Sequence, residues 1–230
     1  MTTLESCIKD FISKTLNKYH MQTSLSIFDE FMKFCQDYYE KPAHSVAEIK
    51  LQKNTKLKGD IFELFVQKYL IHCYKGGDFF RGVWLLRDVP DDVLSKLSLK
   101  RHDVGIDIIA VDNNNKFYAV QVKYRKKGYK VTHGIGWQTL STFYGLVNRS
   151  GPWERYVVVT NADYIRHMGK KDKRDLSICY GTLKSITLEG WEKMCGFSGQ
   201  ILDCTQHKIS NIDNLREKRI AYFEKSNINI

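Results

Sequence analysis

The chain has 230 residues, of which 43% are hydrophobic; this is enough to bury one α/β core, and it argues against a disordered chain. No apolar run approaches the roughly 18 residues of a membrane-spanning helix, and the N-terminus lacks the pattern of a signal peptide. Lysine and arginine outnumber aspartate and glutamate by 36 to 26, a net charge of +10 that favours polyanionic partners.

The cysteines indicate the compartment. None of them forms a C-x-x-C pair, and they are dispersed among apolar positions, which favours free thiols over disulfides or a zinc site. They are Cys7, Cys35, Cys73, Cys179, Cys195 and Cys204. We expect an intracellular protein of a reducing compartment, the cytoplasm or the nucleus, of cellular or viral origin and without a membrane partner.

Residues 1–52 carry apolar residues at helical spacing, and we predict an N-terminal helical region there. One stripe contains Leu4, Cys7, Ile8, Phe11, Ile12 and Leu16, and the next contains Leu25, Phe28, Phe31, Met32 and Cys35. Such helices either pack on the rest of the protein or dock onto another protein. The sequence favours packing.

The next segment predicts a helix followed by three strands. The helix covers residues 59–74, and Glu63 lies one position off its apolar stripe, where it can point toward a sheet. A strand is predicted near residues 82–87, and an acidic connecting segment follows at 88–92. Two apolar strands over 104–111 and 117–124 are separated by a turn of Asp and Asn residues, which predicts a hairpin.

Three polar side chains converge in this hairpin. Gln121 and Lys123 are two residues apart on one strand, so their side chains project from the same face, and pairing of the strands brings Asp107 to that face. The side-chain oxygens of Asp107 and Gln121 are ligands of the kind that hold Mg2+. Surface decoration is the alternative reading, but the strongly apolar neighbours indicate core strands. Asp103 is either a partner of Lys123 or of the metal ion, or a residue that caps a turn.

The later part of the chain predicts a parallel crossover. A helix over residues 135–147 leads to a buried strand at 156–160, which is the arrangement of a βαβ unit. Gln138, near the start of that helix, either touches substrate or lies on the helix surface. A further strand and helix are predicted near 185–188 and 189–195, and a charged helical tail over 201–230.

With these residues assembled, the chain resembles the PD-(D/E)xK nuclease superfamily. The resemblance is to its Mrr-like restriction endonuclease branch, which carries Gln-x-Lys, and to nuclease domains attached to helicases in type ISP restriction enzymes and large DNA viruses. It spans roughly residues 55 to 165. The matching segments are Lys58–Glu63, Gly82–Trp84, Asp103–Asp107 and Gln121–Tyr124. Ile106 stands where the superfamily name has proline, and Gln121 replaces the second acid.

The resemblance implies a fold, a cofactor and roles for the site residues. The fold is a restriction-endonuclease-like mixed α/β sheet flanked by helices, here with an N-terminal helical extension and a nuclease core over residues 53–200. The cofactor is Mg2+, for which Mn2+ can substitute. Asp107, Glu63, the Gln121 oxygen and the Val122 carbonyl are the implied ligands, and Lys123 positions or activates the attacking water.

Two basic stretches lie beyond predicted strands: residues 123–130 extend from the predicted catalytic strand, and residues 166–174 follow the later strand at 156–160. Loops leaving neighbouring strands at the same end could flank a phosphate backbone, whereas the alternative is an ordinary solvated surface. Besides Gln138, the predicted DNA-binding residues are Lys126, Lys127, Lys130, Lys170, Lys171 and Arg174. Tyr164, which lies among them, is assigned to packing rather than to base stacking.

These observations predict a metal-dependent DNA endonuclease domain. The alternative is a nuclease-fold module with weak or no hydrolysis that binds DNA, or docks, within a larger helicase, replication or repair assembly. No G-x-x-x-x-G-K-[ST] phosphate loop occurs, so a helicase partner would lie outside this chain. The sequence leaves a homodimer open.

Overall fold

The computed structural model of the protein describes residues 26–39, 55–102, 104–125, 134–166 and 172–196. Met1–Met194 is one compact unit; of the second unit, Cys195–Ile230, only Cys195 and Gly196 are described. The helices are α1 (Ile27–Tyr39), α2 (Thr55–His72), α3 (Asp91–Lys96), α4 (Ser141–Val147), α5 (Tyr180–Lys184) and α6 (Leu188–Cys195). The strands are β1 (Phe80–Leu85), β2 (Ile108–Asp112), β3 (Phe117–Lys123), β4 (Gly134–Gly136), β5 (Arg155–Thr160), β6 (Tyr164–Arg166) and β7 (Asp175–Ile178).

The central sheet is mixed, as predicted. Its strand order is β1-β2-β3-β5-β7, so the strand that carries Gln121 and Lys123 lies in the middle. The pairs β1–β2 and β2–β3 are antiparallel, and the pairs β3–β5 and β5–β7 are parallel. The predicted hairpin and the predicted parallel crossover are therefore both confirmed.

Helices cover both faces of this sheet, which explains why β2 and β3 are continuous apolar runs rather than alternating ones. Alternate residues such as Ile109, Ala119 and Val158 join a buried cluster with α3 and α4. On the opposite face α2 packs against β1 and β3, and Phe62 meets the ring of Tyr124. Among the described helices, none has the length and apolar character needed to cross a membrane.

Helix α1 packs on α2 and α6 through aromatic rings. Phe28 and Phe31 are fully buried and contact Phe65 of α2, and Phe31 also contacts Trp191 of α6. The Tyr180 hydroxyl donates a hydrogen bond to Asp29 at 2.7 Å. The described part of the N-terminal region is thus a packed helix. The other helices predicted within residues 1–52 lie outside the described residues.

The predicted crossover helix begins later than expected. Gly134–Gly136 forms β4, which pairs in parallel with β6 as a separate two-stranded ribbon, and Trp137–Leu140 is a 3-10 turn that precedes α4. Glycine disfavours a helix, and two glycines fall within these three residues. Only residues 141–147 are α-helical.

The strand predicted near residues 185–188 is wrong. Helix α5 ends at Lys184 and α6 begins at Leu188, so this segment is the connection between two helices. The outer strand is β7, which pairs with β5. The helical tail predicted over residues 201–230 lies outside the described residues.

Candidate active site

The carboxylate of Asp107 is held at the edge of the sheet by main-chain pairing. Asp107 directly precedes β2; its N–H donates to the Val120 carbonyl and its own carbonyl accepts from Leu86 N–H, each at 2.9 Å. The register of Ile108 opposite Val120 places Asp107 beside Gln121. The main chain of Asp107 is therefore held between Leu86, directly after β1, and Val120 of β3.

Two donors from β3 converge on this carboxylate. The Val122 N–H donates to Asp107 Oδ2 at 2.6 Å, and Gln121 Nε2 donates to the same oxygen. Gln121 is only 2% exposed, and its Nε2 also lies 3.5 Å from the Val122 carbonyl oxygen. The amide thus presents its N–H groups to two of the oxygens that the sequence assigns to a metal ion. For the amide oxygen of Gln121 to coordinate a metal ion there, the side-chain amide must rotate so that its oxygen and nitrogen exchange places.

Burial raises the pKa of the Asp107 carboxyl above its usual range. The Val122 N–H, the positive charge of Lys123 and the Gln121 amide act in the opposite direction, and the burial effect outweighs them. Any cation that binds beside this buried carboxyl group stabilises its ionised form.

Glu63, on α2, is the second acid that the sequence assigns to the site. Burial, followed by repulsion from Asp107 and Asp60, raises the pKa of the Glu63 carboxyl to about 7, although Arg87 and Lys123 act to lower it. The charges of Glu63 and Asp107 therefore act on one another, although the two residues are 44 positions apart in the sequence. Perturbed carboxyl groups of this kind cluster at functional sites.

Lys123 is half-buried at the C-terminal end of β3. Its main-chain carbonyl accepts a hydrogen bond from the Thr160 hydroxyl at 2.7 Å, which ties it to the neighbouring strand. Its ammonium lowers the pKa of both Asp107 and Glu63. The structure thus brings together Glu63, Asp107, Gln121 and Lys123, with the Val122 main chain between the last two.

The predicted DNA-binding residues fall into three groups. Gln138 is exposed on the 3-10 turn that precedes α4. Arg174 lies at the start of β7, where its guanidinium binds Asp172 at 3.0 Å and stacks on Tyr156, at the end of β5 remote from Lys123. The structure does not bring Arg174 to the site. The third group lies outside the described ranges and contains Lys126, Lys127, Lys130, Lys170 and Lys171. Asp103, predicted as a partner of Lys123 or of the metal, or as a turn cap, also lies outside them.

Several residues beside the site were not predicted from the sequence. Asp60 lies one helical turn before Glu63, and the i, i+3 spacing could have indicated it. Arg87 acts on Glu63 from the turn after β1, a relationship that only the fold creates. Arg125, two residues beyond Lys123, donates a guanidinium hydrogen bond to the Thr139 hydroxyl at 3.1 Å.

The donor set fits a hard divalent cation. Two carboxyl groups with raised pKa values, a side-chain amide and a main-chain carbonyl are oxygen donors of the type that Mg2+ prefers. Within the described ranges no group of three or more His, Cys, Asp and Glu side chains is placed to hold a metal ion. Any site here is therefore a mixed one, in which Gln121 and the Val122 carbonyl complete the ligands.

A mixed sheet that presents a carboxylate opposite a Gln-x-Lys strand is the architecture of a restriction-endonuclease-like nuclease domain. A family model described as restriction endonuclease (Mrr_cat_2) matches residues 75–190, about half of the chain, and the chain belongs to this family. Glu63 lies outside the matched range.

Among solved structures, the chain is similar to the ATP-dependent Type ISP restriction-modification enzyme LlaBIII bound to DNA. The identity is 20% and the TM-score is 0.40, and the match covers 57% of this chain and 8% of the enzyme. The chain therefore corresponds to a small part of that protein's length. A search of curated proteins gave no significant match.

Proposed function

We propose that the protein is a metal-dependent DNA endonuclease domain that hydrolyses phosphodiester bonds by in-line attack of water. The observation that carries this proposal is the position of the Asp107 carboxylate against the Gln121-Val122-Lys123 strand, with Glu63 close enough for its pKa to respond to Asp107. A buried acidic centre faced by one lysine suits chemistry on a phosphate.

The residues have separate roles in this proposal. Asp107 and Glu63, the Gln121 amide oxygen and the Val122 carbonyl would hold Mg2+, with Mn2+ as a substitute. When bound, the ion supplies charge at the phosphate and lowers the pKa of the attacking water. Lys123 orients that water with its ammonium and balances the phosphate charge. Burial of Gln121 keeps bulk water away from the back of the site.

DNA is the proposed substrate, and we also propose that a helicase domain or subunit outside this chain works with the nuclease. The positive net charge supports binding to a polyanion. The helicase part of the proposal rests on the resemblance stated for the Gln-x-Lys motif. Because the sequence has no G-x-x-x-x-G-K-[ST] phosphate loop, that helicase would lie outside this chain.

Metal titration with supercoiled plasmid DNA tests this function. The full chain should nick or cut the plasmid with Mg2+ or Mn2+, remain inactive in EDTA, and regain activity when the metal is restored. Salt-sensitive binding of the plasmid without any nicking, at every metal concentration, would contradict the nuclease and support a DNA-binding module.

A further inference from the structure

The ribbon formed by β4 and β6 has one buried face and one open face. Ile135 is fully buried and Ile165 packs against the core, so these two residues mark the inner face. The parallel register pairs Gly134 with Tyr164 and Gly136 with Arg166, which places those four residues on the opposite face. We call this surface the open face of the ribbon.

Arg166 is braced on the open face by an aromatic ring. A Cβ at Gly134 would lie 2.5 Å from the Tyr164 ring, so that ring rests directly on the glycine. The Arg166 guanidinium carbon lies 5.5 Å from the ring centroid, and Nη2 donates to the Tyr164 hydroxyl at 2.9 Å. The exposed guanidinium is thereby held in one orientation and retains N–H groups for a planar anion.

Gly136 leaves free space beside this arginine. A Cβ at Gly136 would meet nothing within 4 Å, and its φ of −79° suits any residue. Neither packing within the described part of the chain nor backbone conformation requires a glycine there. Because Gly136 has no side chain, a ligand can approach the backbone of β4 at this position.

The ribbon is attached to the edge of the sheet that carries Lys123. Asn161, which follows β5, receives the Arg125 N–H at 2.7 Å and donates to the Arg125 carbonyl at 2.7 Å. Tyr164 is three residues beyond Asn161, so their Cα atoms are at most about 11 Å apart. Thr139, three residues after Gly136, contacts the Arg125 guanidinium. Arg125 therefore lies between the candidate active site and the ribbon.

Neither Arg125 nor Arg166 forms an ion pair with a carboxylate of the described residues. Both are exposed, and they belong to a chain of net charge +10. A polyanionic strand is the occupant whose charge complements this surface.

We propose that the open face of the ribbon binds the DNA backbone, with Arg166 on one phosphate, Gly136 admitting the strand and Arg125 on a phosphate nearer the active site. The inference rests on the proposed function, because it takes DNA as the ligand. Contacts to phosphate position the substrate and carry no base specificity.

Fluorescence anisotropy with a labelled DNA duplex tests the proposal, using the full chain in EDTA so that binding is measured without cleavage. Arg166→Gln should weaken binding about tenfold and flatten the plot of log K against log salt by roughly 0.9. Gly136→Val should weaken binding, and Gly136→Ala should do so to a smaller extent. Each variant must melt at the wild-type temperature or above to be compared.

Matched controls lie elsewhere on the protein. Arg81→Gln removes an exposed arginine from β1 at the end where Phe80 pairs with Asp112, remote from Asp107. Gly145→Ala adds a methyl group on α4 at a position that is equally open. Both controls should bind the duplex as the wild type does.

The outcomes separate this inference from the proposed function. Wild-type affinity and salt slope in Arg166→Gln and Gly136→Val would overturn the inference even if the protein nicks plasmid. Failure of the wild type to bind DNA at low salt would overturn it as well. Binding that depends on Arg166 and Gly136 would support it even if no nicking occurs, and in that case only the nuclease proposal fails.

Discussion

Glu63 of α2 and Asp107, which directly precedes β2, are electrostatically coupled: burial and then the charge of Asp107 raise the pKa of Glu63 to about 7. Burial is the larger cause, and Asp60 adds to the effect. In the proposed function these two acids are ligands of the metal ion. This coupling between a helix and a hairpin gives the site measurable properties in the absence of DNA.

The first prediction concerns pH and stability without metal. In the folded protein the Glu63 carboxyl has a pKa of about 7, whereas in the unfolded chain its pKa has the ordinary glutamate value of 4.5. Because the folded state then holds more protons than the unfolded state, the free energy of unfolding should fall as pH rises from 4.5 to 7. The raised pKa of Asp107 acts in the same direction. Urea denaturation in EDTA across this range measures the decline.

Two variants test the assignment of this decline to Glu63. Glu63→Gln should flatten it and should be the more stable protein at pH 8, whereas Glu192→Gln on α6 should follow the wild type. Mg2+ should stabilise the wild type more at pH 8 than at pH 6, because the ion competes with protons for the carboxylates. If the free energy of unfolding fell as much in Glu63→Gln as in the wild type, the pH dependence would come from other groups.

The second prediction concerns Gln121. In Gln121→Glu a third acid would join Asp107 and Glu63 at a buried position, so the metal-free protein should be destabilised at pH 8. Mg2+ should then restore more stability than it does in the wild type. Thermal unfolding with and without Mg2+ measures both changes.

Gln121→Leu is the matched comparison, because it nearly keeps the volume and removes the proposed ligand. Its Mg2+ response should be weaker than that of the wild type. If Gln121→Glu lowered the affinity for Mg2+ and Gln121→Leu left it unchanged, Gln121 would not be a ligand.

The third prediction concerns α1. Phe31 is fully buried against Phe65 and Trp191, so Phe31→Ala should cost about 3–5 kcal/mol of unfolding free energy. Chemical denaturation measures the loss, and Lys33→Ala, at an exposed position of the same helix, should be nearly neutral. A neutral Phe31→Ala would mean that α1 is a detachable element rather than part of the folded core.

The sequence predicted the parts of the site that depend on local pattern. Strand periodicity places Gln121 and Lys123 on one face, and a short turn fixes the register of the hairpin that carries Asp107. The ribbon was missed because β4 is three residues long and its partner Tyr164–Arg166 lies far along the chain. Three residues give too little periodicity to distinguish a strand from the start of a helix.

The position of Arg174 shows what a charge pattern cannot establish. Both basic stretches were expected at one end of the sheet, but β7 runs parallel to β5, so the chain must return to the far end before β7 begins. Arg166 stays near the edge that carries Lys123, and Arg174 does not. The direction of the outer strand, which depends on long-range pairing, decides this difference.

The fourth prediction concerns the basic stretch after Arg125. Replacing Lys126 and Lys127 together with Gln should weaken binding to all duplexes alike and flatten the salt slope by up to about two units if both contact phosphates. The control is Lys96→Gln with Lys116→Gln, two lysines at the other end of β3, where Lys116 pairs with Glu154 at 3.1 Å. An unchanged slope in the first pair would place that stretch away from DNA.

The most direct test of the central claim is single-turnover plasmid nicking by Lys123→Gln in Mg2+. Lys123 lies where its charge reaches both Asp107 and Glu63. Its loss should reduce the nicking rate by at least about 100-fold, while the fold and DNA affinity remain close to those of the wild type. Lys116→Gln, at the opposite end of the same strand, should nick at the wild-type rate. Equal nicking rates for Lys123→Gln and Lys116→Gln would contradict the assignment of this site to phosphodiester hydrolysis.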